Sequence, residues 1–332
     1  MNERKASRLK LVRSCAIIAG ALVVIIVALL LLHSWEKWQG KSIWQGFEGE
    51  TTQTIRYDGQ WYVLRDDVES VLVIGLDKFD NSQSLDSYNN DKQADFLSLI
   101  VLDKDNDKVT TLHINRDTMA QMNILGLDGN VVGTKKAQLA LSHTYGSGGK
   151  DSCKNTRDAV SDFLYQTPID HYVSLTMDAV AELNDMVSGV TVTLLDDFSH
   201  IDSSLVKGEE VLLRGSQALT YVRARSGVAD ETNESRMKRQ RQYLDALYSK
   251  VADTVEKDEE FISRAGLKLA EYMVSDCTVH QLERIAQFVS ENDTGEILEI
   301  KGESKKGEQF MEFYPDEDAL QKQIIELFYE PK

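Results

Sequence analysis

The chain has 332 residues, 42% of them hydrophobic, and a formal charge of −17 from 37 Lys+Arg and 54 Asp+Glu. The length permits one large domain or two small ones. Residues 1–14 hold five basic residues and one acidic one, and residues 15–32 hold neither, which leaves 32 basic and 53 acidic residues in 33–332, a net of −21. So acidic a body excludes nucleic acid as a partner, because binding to its backbone is driven by phosphate neutralisation.

Arg4, Lys5, Arg8, Lys10 and Arg13 precede an uncharged run of 18 residues, Cys15 to Leu32, which would span about 27 Å as a helix at ~1.5 Å per residue. That is just enough to cross a bilayer. The residues after it, His33 to Trp38, lack a small-x-small cleavage pattern, so the run reads as a retained transmembrane helix rather than a signal peptide. The basic flank predicts a cytoplasmic tail (1–14), with the remaining 300 residues outside the cell membrane. Trp35 and Trp38 would sit at the outer interface. Residues 33–65 read as a juxtamembrane linker. One folded body follows from about residue 66, with a main part at 66–250 and a helical extension at 251–332 packed on the same domain.

Within the body, Val71–Ile74 is a short apolar run ending in Gly75-Leu76-Asp77, a buried strand opening into a loop. Phe96–Leu102 and Val109–Ile114 are strands whose short connection, Asp103 to Lys108, predicts an antiparallel hairpin. Asp151 can cap a helix running to about Tyr165; Pro168 forbids its continuation, and His171–Leu175 reads as a strand. Asp178 can cap a helix ending near Gly189, before an alternating strand at Val190–Leu194. Helical periodicity returns at Ser235–Val251, Val279–Val289 and Asp318–Phe328. The alternation predicts an α/β fold, a mixed central sheet packed by helices. Cys153 and Cys277 lie outside the membrane, where a disulfide between them competes with two buried thiols.

The hairpin carries a geometric consequence. Asp95 precedes its first strand and Arg116 follows its second, so both lie at one end of the ladder. If Val71–Ile74 runs with the second strand, Asp77 arrives there too. The two carboxylates would repel unless a cation neutralises them, and Mg²⁺ (or Mn²⁺) would do so while also binding phosphate. Otherwise Asp77 is a turn residue and Asp95 a polar strand start.

Between Tyr221 and Gln242 the chain packs Arg223, Arg225, Arg236, Lys238, Arg239 and Arg241 against Asp230, Glu231 and Glu234. On a helix beginning near Glu234 and capped by Asn233 or Asp230, Arg236, Arg239 and Gln240 share one face. A helix N-terminus and forked guanidinium groups both suit phosphate. The competing reading is a solvated basic helix pairing with local acids.

Other signals fail. Asp103, Asp105 and Asp107 mimic an EF-hand start, but Lys108 and Ile114 occupy its Gly and Glu positions. Tyr145–Lys150 is glycine-rich, but Thr144 stands where a Walker motif needs Gly. The six His lie at no ligand spacing, so zinc is not expected. No Gly-x-Ser-x-Gly elbow is present.

Taken together, VLVIGLD (71–77), ADFLSLIVLD (94–103), LHINRDTM (112–119), TPIDHYVSLTMDAVAELNDMVSGVTVTL (167–194), GSQALTYVRAR (215–225) and NESRMKRQRQYL (233–244) resemble the LytR-CpsA-Psr family in order and spacing. The likeness covers about residues 66–250, the catalytic domain of such proteins, and EFYPDEDALQKQIIELF (312–328) is similar to their common tail. The resemblance implies a membrane-anchored transferase of the Gram-positive envelope. Its substrate would be a glycopolymer, such as a teichoic acid or capsule, moved from a polyprenyl-pyrophosphate carrier to a peptidoglycan hydroxyl.

It further implies Asp77 and Asp95 as metal ligands, and Arg116, Arg223, Arg225, Arg236 and Gln240 as pyrophosphate ligands, with the lipid chain in an apolar groove. Arg116 would also be catalytic, and Arg239 is a further candidate. Two departures stand out. Asn233 occupies a position where relatives carry an acid, so the base falls to Asp230, with Glu231 and Glu234 behind it. Lys78 and Gln93 stand where relatives carry Arg, and Lys135 or Lys136 would compensate. The competing class is a non-catalytic protein that binds prenyl-pyrophosphate or wall polymer.

Overall fold

The computed structural model describes residues 54–77 and 93–332. The predicted anchor, most of the linker and Lys78 lie outside them. Among the described residues no helix is long and apolar enough to cross a membrane. The strands are β1 (Thr54–Tyr57), β2 (Gln60–Leu64), β3 (Val68–Leu76), β4 (Ala94–Asp103), β5 (Lys108–Ile114), β6 (Met119–Leu125), β7 (Val131–Gln138), β8 (His171–Thr176), β9 (Val190–Thr193), β10 (Glu210–Leu213), β11 (Met273–Ser275), β12 (Leu298–Glu299), β13 (Gly302–Lys306), β14 (Met311–Pro315) and β15 (Tyr329–Pro331). The helices are α1 (Gly149–Phe163), α2 (Asp178–Met186), α3 (Ser216–Arg223), α4 (Asn233–Lys257), α5 (Phe261–Leu269), α6 (Val279–Glu291) and α7 (Glu317–Phe328).

The central sheet has the order β11-β8-β3-β4-β5-β12. β3 is largely buried on both faces from Val71 to Leu76, which is why that stretch is a continuous apolar run rather than an alternating one. Leu72, Ile74 and Leu76 face a core completed by Leu97 and Leu99 of β4, Leu112 and Ile114 of β5, Cys153 and Val160 of α1, and Leu320, Ile324 and Phe328 of α7. Val71, Leu102 and Val109 face the opposite side, where Ile285 of α6 packs on them. A second apolar cluster joins β9, β10, α3, α4 and α5 through Val190, Val192, Tyr221, Tyr243, Leu247 and Phe261. The sheet thus lies between helical layers, as alternating helices and strands require.

Pairing sets the position of the site. β3 and β5 both run antiparallel to β4, and β8 runs parallel to β3. The predicted hairpin is present, with Leu97 opposite Ile114 and Asp103 opposite Lys108. A register shift at Gly75/Leu76 puts Leu76 opposite Ala94. A Cβ on Gly75 would come within 2.7 Å of the Phe96 Cβ, so only glycine lets the two strands approach there.

Three expectations are corrected, and the alternative left open for the cysteines is decided. Residues 54–64, assigned to the linker, form β1 and β2, and β2 pairs with β15 at the other end of the chain, Leu64 opposite Tyr329. The partner lies some 260 residues downstream, beyond the reach of local pattern. Residues 251–332 are not a purely helical extension, because β11 and β12 supply both edges of the central sheet. α1 is capped by Gly148 at φ 111°, and Asp151 lies within its first turn. Cys153 and Cys277 are both free; Cys153 is buried on α1, whereas Cys277 follows the edge strand β11.

Candidate active site

Asp77, Asp95 and Arg116 meet at one end of the sheet, as the hairpin argument requires. Asp77 follows β3, Asp95 is the second residue of β4, and Arg116 lies two residues past β5. Arg116 pairs with Asp95 through Nη1. The basic block closes over this edge from the opposite side: Arg223 Nη2 is 3.0 Å from Asp77 Oδ2, and Arg236 Nη1 is 3.7 Å from Asp95 Oδ1. Asp77, Asp95, Met177, Arg223, Arg225, Ser226 and Arg236 line a cavity of ≈ 250 Å³.

Arg236 is the most constrained of these groups. It is 5% exposed, yet its Nε has no hydrogen-bond partner. Its Nη2 donates to Asn233 Oδ1 at 2.7 Å and to the Asp95 carbonyl at 3.4 Å. Burial, followed by the charge of Arg225, pulls the guanidinium down to about 10, well below its ordinary value. A buried cation held at such a disadvantage in a polar cavity is built to receive an anion.

The helix that carries it begins one residue before the predicted start. Thr232 is the cap of α4, accepting from Ser235 N, because Asp230 is turned toward Thr232 N, Thr232 Oγ1 and Ser235 Oγ at 3.1, 2.8 and 2.6 Å. These bonds stabilise the ionised carboxylate and lower Asp230 to about 2. Asp230 is exposed and lies outside the cavity lining. Asn233, buried at the first turn, donates to Asn115 Oδ1 at 2.9 Å and thereby ties α4 to the end of β5.

Arg239 and Gln240 share the inward face of α4, but neither lines the cavity. Arg239 is 1% exposed; it donates from Nε to the Tyr221 carbonyl at 3.0 Å and from Nη2 to the Ala224 carbonyl, and pairs with Asp196 at 2.7 Å. Gln240 Nε2 donates to the Val222 carbonyl at 3.1 Å. The last carbonyls of a helix have no partner within it. At the end of α3, Arg239 and Gln240 satisfy them and so hold the Arg223-Ala224-Arg225 segment in place. Lys136 stands exposed on β7, its Nζ 5.9 Å from the centre of the Tyr314 ring, away from the cavity.

One carboxylate escaped sequence reasoning. Asp117, beside Arg116, is 8% exposed and accepts from Gln138 Nε2 at 3.0 Å, with Arg116 Nε at 3.6 Å. Burial raises its pKa, against the opposing pull of Arg116, Arg236 and Arg225. The only hint in sequence was its adjacency to Arg116.

The cavity combines acidic and basic groups at the carboxyl end of a strand in an α/β sheet, and the chain matches the LytR_cpsA_psr family model over residues 43–327. The chain belongs to the LytR-CpsA-Psr family. Among curated family members it is 30% identical over 243 residues to the polyisoprenyl-teichoic acid–peptidoglycan teichoic acid transferase TagU of Halalkalibacterium halodurans, spanning 71% of this chain and 70% of that one. It is 32% identical over 183 residues to the corresponding transferase TagV of Bacillus subtilis, with 52% and 43% covered. In three dimensions it resembles the crystal structure of B. subtilis TagV, with a TM-score of 0.60 at 24% identity over 79% of this chain and 98% of that one. TagT bound to LI-WTA gives a TM-score of 0.58 at 20% identity, covering 79% and 90%. These likenesses show that the LytR-CpsA-Psr fold is shared.

Proposed function

We propose that this protein is a transferase that moves a teichoic-acid-type glycopolymer from a polyprenyl-pyrophosphate carrier to a hydroxyl of peptidoglycan. The observation that carries this reading is the buried Arg236, its Nε unpaired, in a cavity that also holds Arg223 and Arg225. A pyrophosphate has the charge and the planar oxygen pairs that three forked guanidinium groups engage. The relatives named as polyisoprenyl-teichoic acid–peptidoglycan teichoic acid transferases supply the substrate class.

In such a transfer the acceptor oxygen forms a bond to the phosphorus that carries the glycan, the bridging P–O bond breaks, and polyprenyl phosphate leaves. The hydroxyl proton passes to solvent or to a nearby base. The transition state is loose and highly charged, so positioning and neutralisation supply most of the rate. Arg223, Arg225 and Arg236 would hold the phosphoryl oxygens, and Arg116 would fix Asp95 from behind. Asp230 is poorly suited to the base role, since a carboxylate held at about 2 is a weak proton acceptor at neutral pH.

Asp77 and Asp95 are hard oxygen donors on one cavity wall, each already facing a guanidinium, and such a donor set fits Mg²⁺ or Mn²⁺. Bound there, such an ion would supply neutralisation of phosphate charge. The apolar run 15–32 supports a single-pass anchor, cytoplasmic N-terminus and extracellular catalytic domain in a Gram-positive envelope. The competing reading is a non-catalytic binder of the same lipid, which would use the same arginines without the acids. Transfer by the full-length chain, measured beside its binding of the polyprenyl-pyrophosphate glycan, separates the two. Asp77→Asn and Asp95→Asn retain binding and lose transfer if the protein is an enzyme. Absence of transfer in the wild type alongside tight binding favours the binder.

A further inference from the structure

At the other end of the sheet from the anion cavity, three chemically distinct side chains converge. His171 opens β8, and Asp276 and Cys277 form the turn between β11 and α6. His171 stands opposite Val71 of β3, six residues before Asp77 and thus ~20 Å from it at ~3.3 Å per residue. One ligand atom from each of His171, Asp276 and Cys277 lies within 4.8 Å of the others, and His171 Nδ1 is 3.8 Å from Asp276 Oδ1. Neither thiol is engaged in a disulfide.

We propose that His171, Asp276 and Cys277 bind a divalent transition-metal ion of the zinc class, which clips the edge strand β11 and helix α6 to β8. Tetrahedral coordination, with metal–nitrogen bonds of ~2.0 Å and metal–sulfur bonds of ~2.3 Å, sets ligand atoms roughly 3.3–3.8 Å apart. The side chains therefore need only ångström-scale rotation to close on an ion.

The surroundings of the imidazole support the same assignment. Glu69 Oε1 lies 3.6 Å from His171 Nε2, the placement of the carboxylate that orients a metal-bound histidine from behind. Glu69 is itself fixed by Arg284 at 2.6 Å and Lys104 at 3.0 Å. Asp276 is held by Tyr172 N–H at 2.9 Å and Arg157 at 3.4 Å.

The charges balance. A neutral imidazole, the Asp276 carboxylate and a Cys277 thiolate would neutralise a 2+ ion, the thiol releasing its proton to solvent as the sulfur–metal bond forms. A water would complete the fourth position. Mixed nitrogen, oxygen and sulfur ligands select zinc or cobalt over Mg²⁺ and Ca²⁺. The proposal is independent of the anion cavity and of the function assigned to it.

The test is a titration of the chelator-stripped full-length chain with Co²⁺ alone, followed by absorption spectroscopy. The expected result is a thiolate-to-cobalt charge-transfer band with tetrahedral d–d bands, saturating at a single ion per chain and displaced by Zn²⁺ but not by Mg²⁺. Cys277→Ser abolishes the charge-transfer band, and His171→Gln weakens Co²⁺ binding at least ~10-fold. Cys153→Ser and the paired Asp77→Asn, Asp95→Asn variant leave the band unchanged. A wild-type chain without the band, a band that survives Cys277→Ser, or one that disappears with Cys153→Ser overturns the proposal.

Discussion

Replacing Arg236 by Met tests whether the cavity is built around an anion. Folding brings this guanidinium from an ordinary value of ~12.5 down to about 10, and at ~1.4 kcal/mol per tenfold change in proton affinity its charged form is disfavoured by ~3 kcal/mol. The sign is that of a depressed base: the penalty is full at every pH below the folded value and so at pH 7. Methionine removes it and keeps the apolar stem. Against this, Asn233 Oδ1 loses a buried donor, a loss of ~1–3 kcal/mol, whereas Asp95 keeps Arg116. Arg236→Met should therefore unfold within ~2 kcal/mol of the wild type in chemical denaturation. Inorganic pyrophosphate at about 100 times its Kd should stabilise the wild type by ~2.7 kcal/mol and leave the variant unmoved. A loss above ~3 kcal/mol, or full stabilisation of the variant by pyrophosphate, would show that the cavity is not built around an anion at Arg236.

Other expectations follow from the same geometry. Arg239→Met should behave oppositely, losing ~3–5 kcal/mol in denaturation because Asp196 and the Tyr221 and Ala224 carbonyls lose their partner. Arg223→Ala should change stability by less than ~1 kcal/mol, since its side chain is 51% exposed, yet weaken pyrophosphate binding ~10–100-fold in calorimetry. Asp230→Asn should retain transfer within about threefold, and loss of all activity would restore Asp230 as the base. Asp117 has a raised pKa, so its charge destabilises the fold above the unfolded carboxylate pKa and the cost fades as pH falls. Asp117→Asn should then melt no lower than wild type at pH 7, and a lower melting temperature would contradict this sign.

The local features of the fold were legible. β3, the β4–β5 hairpin, β8, β9, α6 and α7 follow from apolar period and turn residues, and the shared end of Asp77, Asp95 and Arg116 follows from strand direction. What escaped depends on distant pairing. β2 finds β15, and β11 finds β8, across separations that no window spans. The second pairing is also why the His171, Asp276 and Cys277 cluster has no linear signature. Within the site, helical spacing put Arg236, Arg239 and Gln240 on one face of α4 but could not tell that the first reaches the cavity while the other two hold α3. The side chain of Asp230 competes for the start of α4 through local hydrogen bonds, which composition cannot resolve.

Transfer is the step that defines the proposed activity. The most direct measurement incubates the full-length chain with a polyprenyl-pyrophosphate-linked glycopolymer, peptidoglycan oligomers and Mg²⁺, and looks for the joined glycopolymer–peptidoglycan product by mass. That product and polyprenyl phosphate are expected in equal amounts, both abolished by Asp95→Asn. Binding of the lipid with no joined product, or a product unchanged in that variant, would contradict it.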